Sequence, residues 1–314
     1  MNLTVNAVVN RAKREVINQF APATRLTRRR HSARIERHRR QLPPLSAGDA
    51  HLVSELVNRG IAITTLEDLA LPGTAQMQRL FAADAATLAA RSPGERSSVW
   101  LSHAELTSNP VVWRWGLTPR ILDIAENYIG LPLTYYGSFV ARQVADGRTV
   151  GTRHWHRDIE DHRVLKALIW LNDVDAGGGP FEYLPLSQSQ AATRQLKYVA
   201  GYLDDETMRR AAPVAARLRA TGPAWTVVLA DTARLFHRAA PPTDTDRYSV
   251  TYTWTSRTPI KTMPAVPYTS DQISRIRDGL TDRQSACLPA ALRADWPSGL
   301  GAEAVGSAGP AETR

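Results

Sequence analysis

Cysteine is almost absent: Cys287 stands alone in 314 residues, which excludes an intramolecular disulfide framework and a cysteine-based zinc site. Long apolar runs are missing too. A membrane-spanning helix needs roughly 18–20 apolar residues, whereas the best candidate, Val164 to Leu171, has eight and already contains Lys166. The first residues lack a continuous apolar stretch ahead of the arginines, so no secretory signal is expected and the chain reads as cytoplasmic. Neither GxGxxG nor a GxxxxGK phosphate loop occurs, which removes support for nucleotide-binding folds. Lysine is scarce, four against 35 arginines, and such a bias makes arginine abundance by itself uninformative. There is no internal repeat. With 43% hydrophobic and 22% charged residues, the composition is that of a globular chain with a full core.

The net charge of +9 suggests a polyanion partner until it is located. Residues 11–40 hold eleven Lys/Arg against Glu15 and Glu36 and so carry the whole excess; residues 41–314 are balanced, 28 against 28. The body of the protein therefore gives no reason to expect nucleic acid. Residues 1–45 read as a basic arm, one or two helices broken near Pro22, that could meet an acidic protein or a phosphorylated carrier.

Beyond Pro43 and Pro44 the spacing predicts a helix over 47–59 stopped by Gly60, a short strand over 61–65, and helices over 74–90 and 118–129. Trp100, Trp113 and Trp115 between them are core or substrate-wall aromatics. From about 133 the texture becomes that of short strands: 134–144, 151–156, 164–171, 180–184, 225–230, 234–237 and 247–256, with one helical insertion at 203–219. Short strands without regular intervening helices indicate an antiparallel sandwich or barrel. The expected organisation is a single domain over 46–290, with helical support over 46–130 and a β core over 132–257. A poorly ordered Ala/Gly/Ser-rich tail is expected over 291–314.

The chemistry concentrates in His154-Trp155-His156-Arg157-Asp158 and in Leu235-Phe236-His237. Side chains two apart on a strand share a face, so His156 and Asp158 can reach one ion, with Trp155 turned the other way into the core. His237 on a second apolar segment completes two imidazoles and a carboxylate, the facial set that suits iron(II) and leaves coordination positions open. Ten residues later come Arg247 and Ser249 on one strand face; a guanidinium fork beside a hydroxyl is a good receptor for a buried carboxylate. His154 shares the face of the three as a supporting or substrate-contacting residue. Lys166, Trp170, Tyr135, Gln143 and Arg142 are pocket candidates that nothing in the sequence orients. Gly177-Gly178-Gly179-Pro180 reads as a tight turn.

On three stretches the chain resembles the phytanoyl-CoA dioxygenase-like family of iron(II)/2-oxoglutarate oxygenases. They are Trp155-His156-Arg157-Asp158, the run from Asp175 through the glycines to Pro185, and Asp231 to His237 with Arg247 ten residues on. The resemblance covers about 132–257. It implies a mostly β core with flanking helices, a double-stranded β-helix (jelly roll) with a helical N-terminal half. It implies His156, Asp158 and His237 as iron ligands and catalytic centre, and Arg247 on the distal carboxylate of 2-oxoglutarate, aided by Ser249. It further implies O2 as co-reactant and a small-molecule substrate, most simply hydroxylated at an unactivated C–H bond, with desaturation, cyclisation and epimerisation left open. Where the family often has Gly-Ser-His after its proline, this chain has Leu186-Ser187-Gln188. Two other readings stay open: a cupin-type metal site built on His154, His156 and Glu160, and an inactive barrel that binds an acidic partner.

Overall fold

The computed structural model describes residues 21–263, 266 and 268–293. The N-terminal part of the basic arm, residues 1–20, and most of the expected tail, 294–314, lie outside them. The fold is mixed α-helical and antiparallel β. A six-stranded sheet has the order β1-β7-β4-β9-β3-β2 and a three-stranded sheet the order β6-β5-β8. The strands are β1 (Ile61–Thr65), β2 (Ser98–Trp100), β3 (Leu133–Gln143), β4 (Leu165–Trp170), β5 (Phe181–Tyr183), β6 (Leu218–Ala220), β7 (Thr226–Asp231), β8 (His237–Ala239) and β9 (Arg247–Ser256).

Local chemistry explains the helices that frame the large sheet. In α2 (Ala47–Arg59) the Ser46 hydroxyl accepts the Asp49 N–H at 3.1 Å, and Gly60 closes the helix at φ 78°. Helix α6 (Pro119–Ile129) begins on a proline, ends on Gly130 at φ 78°, and buries Ile121, Leu122, Ile124, Ala125, Tyr128 and Ile129. Helices α3 (Thr74–Ala89), α4 (His103–Ser108) and α5 (Pro110–Arg114) complete that layer. The basic helix α1 (Ala21–His38) lies on the body: His38 meets Glu126 at 2.9 Å and the His31 ring sits 4.1 Å from that of His162. No described helix is long and apolar enough to cross a membrane.

The pleat divides the central strands between two interiors. Ala167 and Ile169 of β4, Val227 and Leu229 of β7, and Val250, Tyr252 and Trp254 of β9 join the helical layer in the larger core. Trp170, Val228 and Ala230 face the small sheet, where they meet Phe181, Tyr183 and Leu235. β4 is thus buried on both faces, which is why Val164 to Leu171 is apolar almost throughout. Trp113 and Trp115 belong to the helical-side core and Trp100 is partly exposed, so none of the three lines the space between the sheets.

Three expectations differ from the structure. The strand expected over 234–237 is largely turn, held by the Asp231 carboxylate, and only its last residue opens β8 (His237–Ala239). Residues 151–156 are a 3-10 turn, Gly151–Arg153, followed by an extended segment joined to its neighbours only by single bridges at Trp155 and His156. The insertion at 203–219 is only partly helical: α8 (Asp205–Ala211) stops before Pro213, which lacks an N–H and forces Ala212 into an extended conformation, and β6 follows. A further helix, α7 (Leu186–Gln195), fills the stretch after Pro185. Beyond β9 lie α9 (Ser270–Arg277) and α10 (Asp282–Ala286), each opened by a Thr–Gln capping box.

In β3 the pairing register slips between Tyr135 and Ser138, and Gly137 sits there at φ 88° with the Trp113 indole where a Cβ would be, 2.5 Å from Nε1. Left-handed strain and overpacking together should make Gly137→Ala cost roughly 2–4 kcal/mol. Gly279→Ala, at φ 70° in open space, should cost only about 1 kcal/mol. Urea unfolding of both variants checks this, and equal losses would show that the Trp113 contact is unimportant.

Candidate metal centre

The site is assembled from two chain segments that meet edge to edge. At the end of β7 the buried Asp231 carboxylate organises the turn toward β8: Oδ1 accepts the N–H groups of Ala233 at 3.0 Å and Arg234 at 3.1 Å, and the Tyr128 hydroxyl donates to Oδ2. The turn delivers Leu235 and Phe236 to the interior and His237 to the first position of β8. Opposite it, His156 and His237 exchange reciprocal main-chain hydrogen bonds of 3.0 Å each. The Asp158 N–H donates to the Thr232 carbonyl at 2.9 Å. This backbone frame sets all three side chains on one side.

Main-chain carbonyls then orient the imidazoles. The His156 Nδ1 lies 2.9 Å from the His154 carbonyl and the His237 Nδ1 3.1 Å from that of Leu235. A carbonyl only accepts, so each Nδ1 carries the hydrogen and each Nε2 keeps its lone pair. Nε2 of His156 lies 3.9 Å from Asp158 Oδ1, and ligand atoms of His156, Asp158 and His237 all fall within 4.8 Å of one another. Burial lowers the pKa of His156; burial and then the neighbouring His156 push His237 down to about 3, so both rings are neutral at neutral pH. Burial would raise Asp158, but Lys166, His237 and His156 outweigh it and hold the carboxyl well below its usual range. Two lone-pair nitrogens and one carboxylate are a donor set that fits a divalent first-row metal. Among the described residues Glu160 is not gathered with His154 and His156, so the cupin-type set is not formed.

Arg247 opens β9 inside the space between the sheets and is 4% exposed. Its guanidinium lies over the Trp170 ring, 5.4 Å from the centroid, and Nη1 donates to the Gly179 carbonyl, while Nε has no partner. No carboxylate pairs with it among the described residues, and burial, then Arg153, pull its pKa down to about 9. A buried guanidinium without a carboxylate partner is costly, and its planar fork beside an aromatic face suits a carboxylate. Ser249, buried two residues on, shares its face and stands opposite Trp170 and Ala141 in register.

The other candidates separate cleanly. Lys166 reaches the site, with Nζ 2.6 Å from Asp158 Oδ2. Gln143 stands opposite Arg247 and accepts from Ser98 at 2.9 Å. Tyr135 packs among Trp113 and Trp254 on the helical side, and Arg142 pairs with Asp246 at 2.5 Å, so neither lines the pocket. His154 is at the rim, 6.1 Å from the exposed Tyr202 ring, which itself lies 5.1 Å from that of His156. Sequence reasoning did not find Tyr202, because its loop carries no periodic signal. Period-two alternation with Leu168 and Trp170 could have oriented Lys166.

Trp155 turns away from the ligands and anchors them from behind. Its ring lies between the guanidinium groups of Arg217 and Arg238, 5.0 and 4.8 Å from the centroid, and its Nε1 donates to Asp205 at 3.1 Å. Asp205 also accepts from Arg217 and Arg238, at 2.7 Å each, and Arg238 reaches Glu182 at 2.5 Å. Helix α8 is thereby tied to residues adjacent in sequence to both His156 and His237.

No family model matches the chain, and no curated protein matches it. Solved structures do. EctD from S. alaskensis in its apoform is 20% identical with a TM-score of 0.50, covering 71% of this chain and 82% of that one. The epimerase SnoN, solved with Fe3+, alpha ketoglutarate and nogalamycin RO, is 19% identical with a TM-score of 0.48, over 71% of this chain and 93% of that one. HygX from Streptomyces hygroscopicus, with nickel, 2-oxoglutarate and hygromycin B bound, is 15% identical with a TM-score of 0.47, over 68% and 88%. The likeness to EctD is one of fold.

Burial would raise the Asp205 carboxyl, but hydrogen bonds from Arg238 and Trp155 and the nearby guanidinium charges bring it down to about 2, against 3.8 ordinarily. A depressed carboxyl stabilises the fold above its ordinary pKa and loses that contribution as pH falls through the folded value. Asp205→Asn should therefore be less stable than wild type at pH 6, with the gap narrowing as pH falls from about 4 toward 2. Urea midpoints across that range test this; a gap independent of pH would mean that the carboxylate charge does not tie α8 down.

Proposed function

We propose that this protein is an iron(II)- and 2-oxoglutarate-dependent oxygenase of the phytanoyl-CoA dioxygenase-like type, with a jelly-roll core, acting on a small molecule. The observation that carries the reading is the pairing of two features in one interior. One is the convergence of His156, Asp158 and His237; the other is a buried Arg247 over Trp170 that no carboxylate of the described residues pairs with. His156, Asp158 and His237 would hold the metal, and Arg247 with Ser249 would take the distal carboxylate of 2-oxoglutarate. With O2, the bound iron and cosubstrate supply the oxidation of a C–H bond, of which hydroxylation is the simplest outcome. The chain's own part is placement. The carbonyls of His154 and Leu235 fix the imidazole tautomers, the backbone bridge fixes their spacing, and the aromatic rings of Trp170 and Phe181 keep the interior dry. Phe181 lies against His237, with ring centroids 5.3 Å apart.

The proposed domain spans 46–290. The exposed Arg29, Arg30, Arg37, Arg39 and Arg40 of the appended basic segment offer a surface for an acidic protein or a phosphorylated carrier.

Under anaerobic conditions the wild type should bind one iron(II) per chain, and His156→Ala or His237→Ala should abolish that binding, together with the turnover seen once O2 is admitted; near-normal iron binding in both variants sinks the metal assignment. Two charge-assisted hydrogen bonds contribute about 3 kcal/mol or more. Arg247→Leu should then weaken 2-oxoglutarate at least about 100-fold, with far less change in iron affinity. Titration of the iron-bound variant, followed by the charge-transfer absorbance of the complex, measures this. An unchanged dissociation constant would remove the 2-oxoglutarate reading. Iron and cosubstrate binding without succinate release would favour a barrel that binds without catalysing.

A further inference from the structure

Lys166 is the only charged residue of β4, and the pleat turns it inward with Leu168 and Trp170. Its register partners are Thr253 of β9 and Ala230 of β7, neither of which can balance its charge. The ammonium instead lies 2.6 Å from Asp158 Oδ2, while Oδ1 of the same carboxylate faces His156 Nε2 at 3.9 Å. The two side chains are 24% and 13% exposed, and among the described residues Lys166 has no other ion pair. A withdrawn carboxylate and a withdrawn ammonium are each costly alone and tolerable only together. Here the pair closes on itself at the point where the metal-ligand atoms meet.

We propose that Lys166 is a resident counter-ion of the metal site: it neutralises Asp158 before a metal arrives and opposes the metal by like-charge repulsion afterwards. The inference rests on the metal-site reading above. It makes the site a compromise. The ammonium keeps the ligand carboxylate in position and the metal-free chain folded, at a cost in affinity for any divalent ion. Removing the charge should therefore move two quantities in opposite directions, which loss of a purely structural contact would not do. Without the ammonium, the carboxylate is left buried and unpaired in the metal-free protein, yet it meets an incoming cation with no competitor.

The test uses full-length wild type, Lys166→Met (similar length, no charge) and Lys166→Arg, with manganese(II) as an air-stable probe at pH 7.5. Calorimetry gives the dissociation constant, and thermal unfolding with and without metal gives the stability. Lys166→Met should bind manganese(II) at least about tenfold more tightly, a like-charge effect of about 1.4 kcal/mol. Its metal-free Tm should fall below that of wild type, and its gain in Tm on adding metal should be larger. Lys166→Arg should stay within about threefold of wild-type affinity. Should Lys166→Met not fold, Lys166→Gln, polar and uncharged, carries the same comparison. Unchanged or weaker manganese(II) binding by the folded neutral variant would overturn the counter-ion role and leave Lys166 as an orienting hydrogen-bond donor. Failure of wild type to bind manganese(II) or iron(II) at all would strike the metal-site reading instead.

Discussion

The reciprocal main-chain hydrogen bonds between His156 and His237, 3.0 Å in each direction, join two segments 81 residues apart and set the spacing of everything around them. Neither segment is held there by a long ladder: the pairing at His156 is a single bridge, and β8 has three residues. Support comes from behind. Asp231 ties the turn before His237, and Trp155 with its flanking guanidinium groups ties the segment before and at His156 to α8. A backbone frame with buried polar anchors is stiffer than side-chain packing alone, and three ligands need sub-ångström spacing more than they need a large interface.

How much of this could be read from the sequence depends on how local the cause is. Helix α2 and strand β1 coincide with the spans their spacing predicts, because Ser46 and Gly60 write the helix boundaries into neighbouring residues. The same holds for β9, whose period-two pattern faces two different interiors. The segment 151–156 was not legible as it stands. Its extended course comes from partners at Leu203 and His237, far away in sequence, while Gly151 at φ 52° starts a turn that no strand pattern reveals. Helices α9 and α10 are missed for another reason: they are short and polar, and their capping boxes, not an apolar stripe, announce them. For the site, His156, Asp158, His237 and Arg247 could be singled out by spacing: a carboxylate two residues after a histidine, a second histidine in an apolar segment, and an arginine ten residues on. Tyr202 and Asp205 could not, since a tyrosine in a polar loop and an aspartate in the first turn of a short polar helix are indistinguishable from surface residues until His156 and Trp155 are seen beside them.

The interior between the sheets holds two cations that differ in kind. Lys166 is already paired, with the carboxylate of a candidate ligand. Arg247 is not; among the described residues its partners are a main-chain carbonyl and the face of Trp170, and neither carries a full negative charge. That asymmetry orders the space, with charge balanced at the end near Asp158 and left open at the end near Arg247. A dianionic ligand with a carboxylate at each end would meet a different environment at each one.

The alternation along β4, β7 and β9 has a consequence for how such a protein diversifies. Ala167, Ile169, Val227, Leu229, Val250 and Tyr252 serve the helical core, while Lys166, Leu168, Trp170, Val228 and Ser249 line the other interior. Every second residue of the same strands thus meets a different environment. A substitution facing the smaller interior does not enter the larger core, and one in the larger core does not face the candidate ligands. Two environments are interleaved on one backbone, so a single substitution can alter one interior while the residues on either side of it go on serving the other.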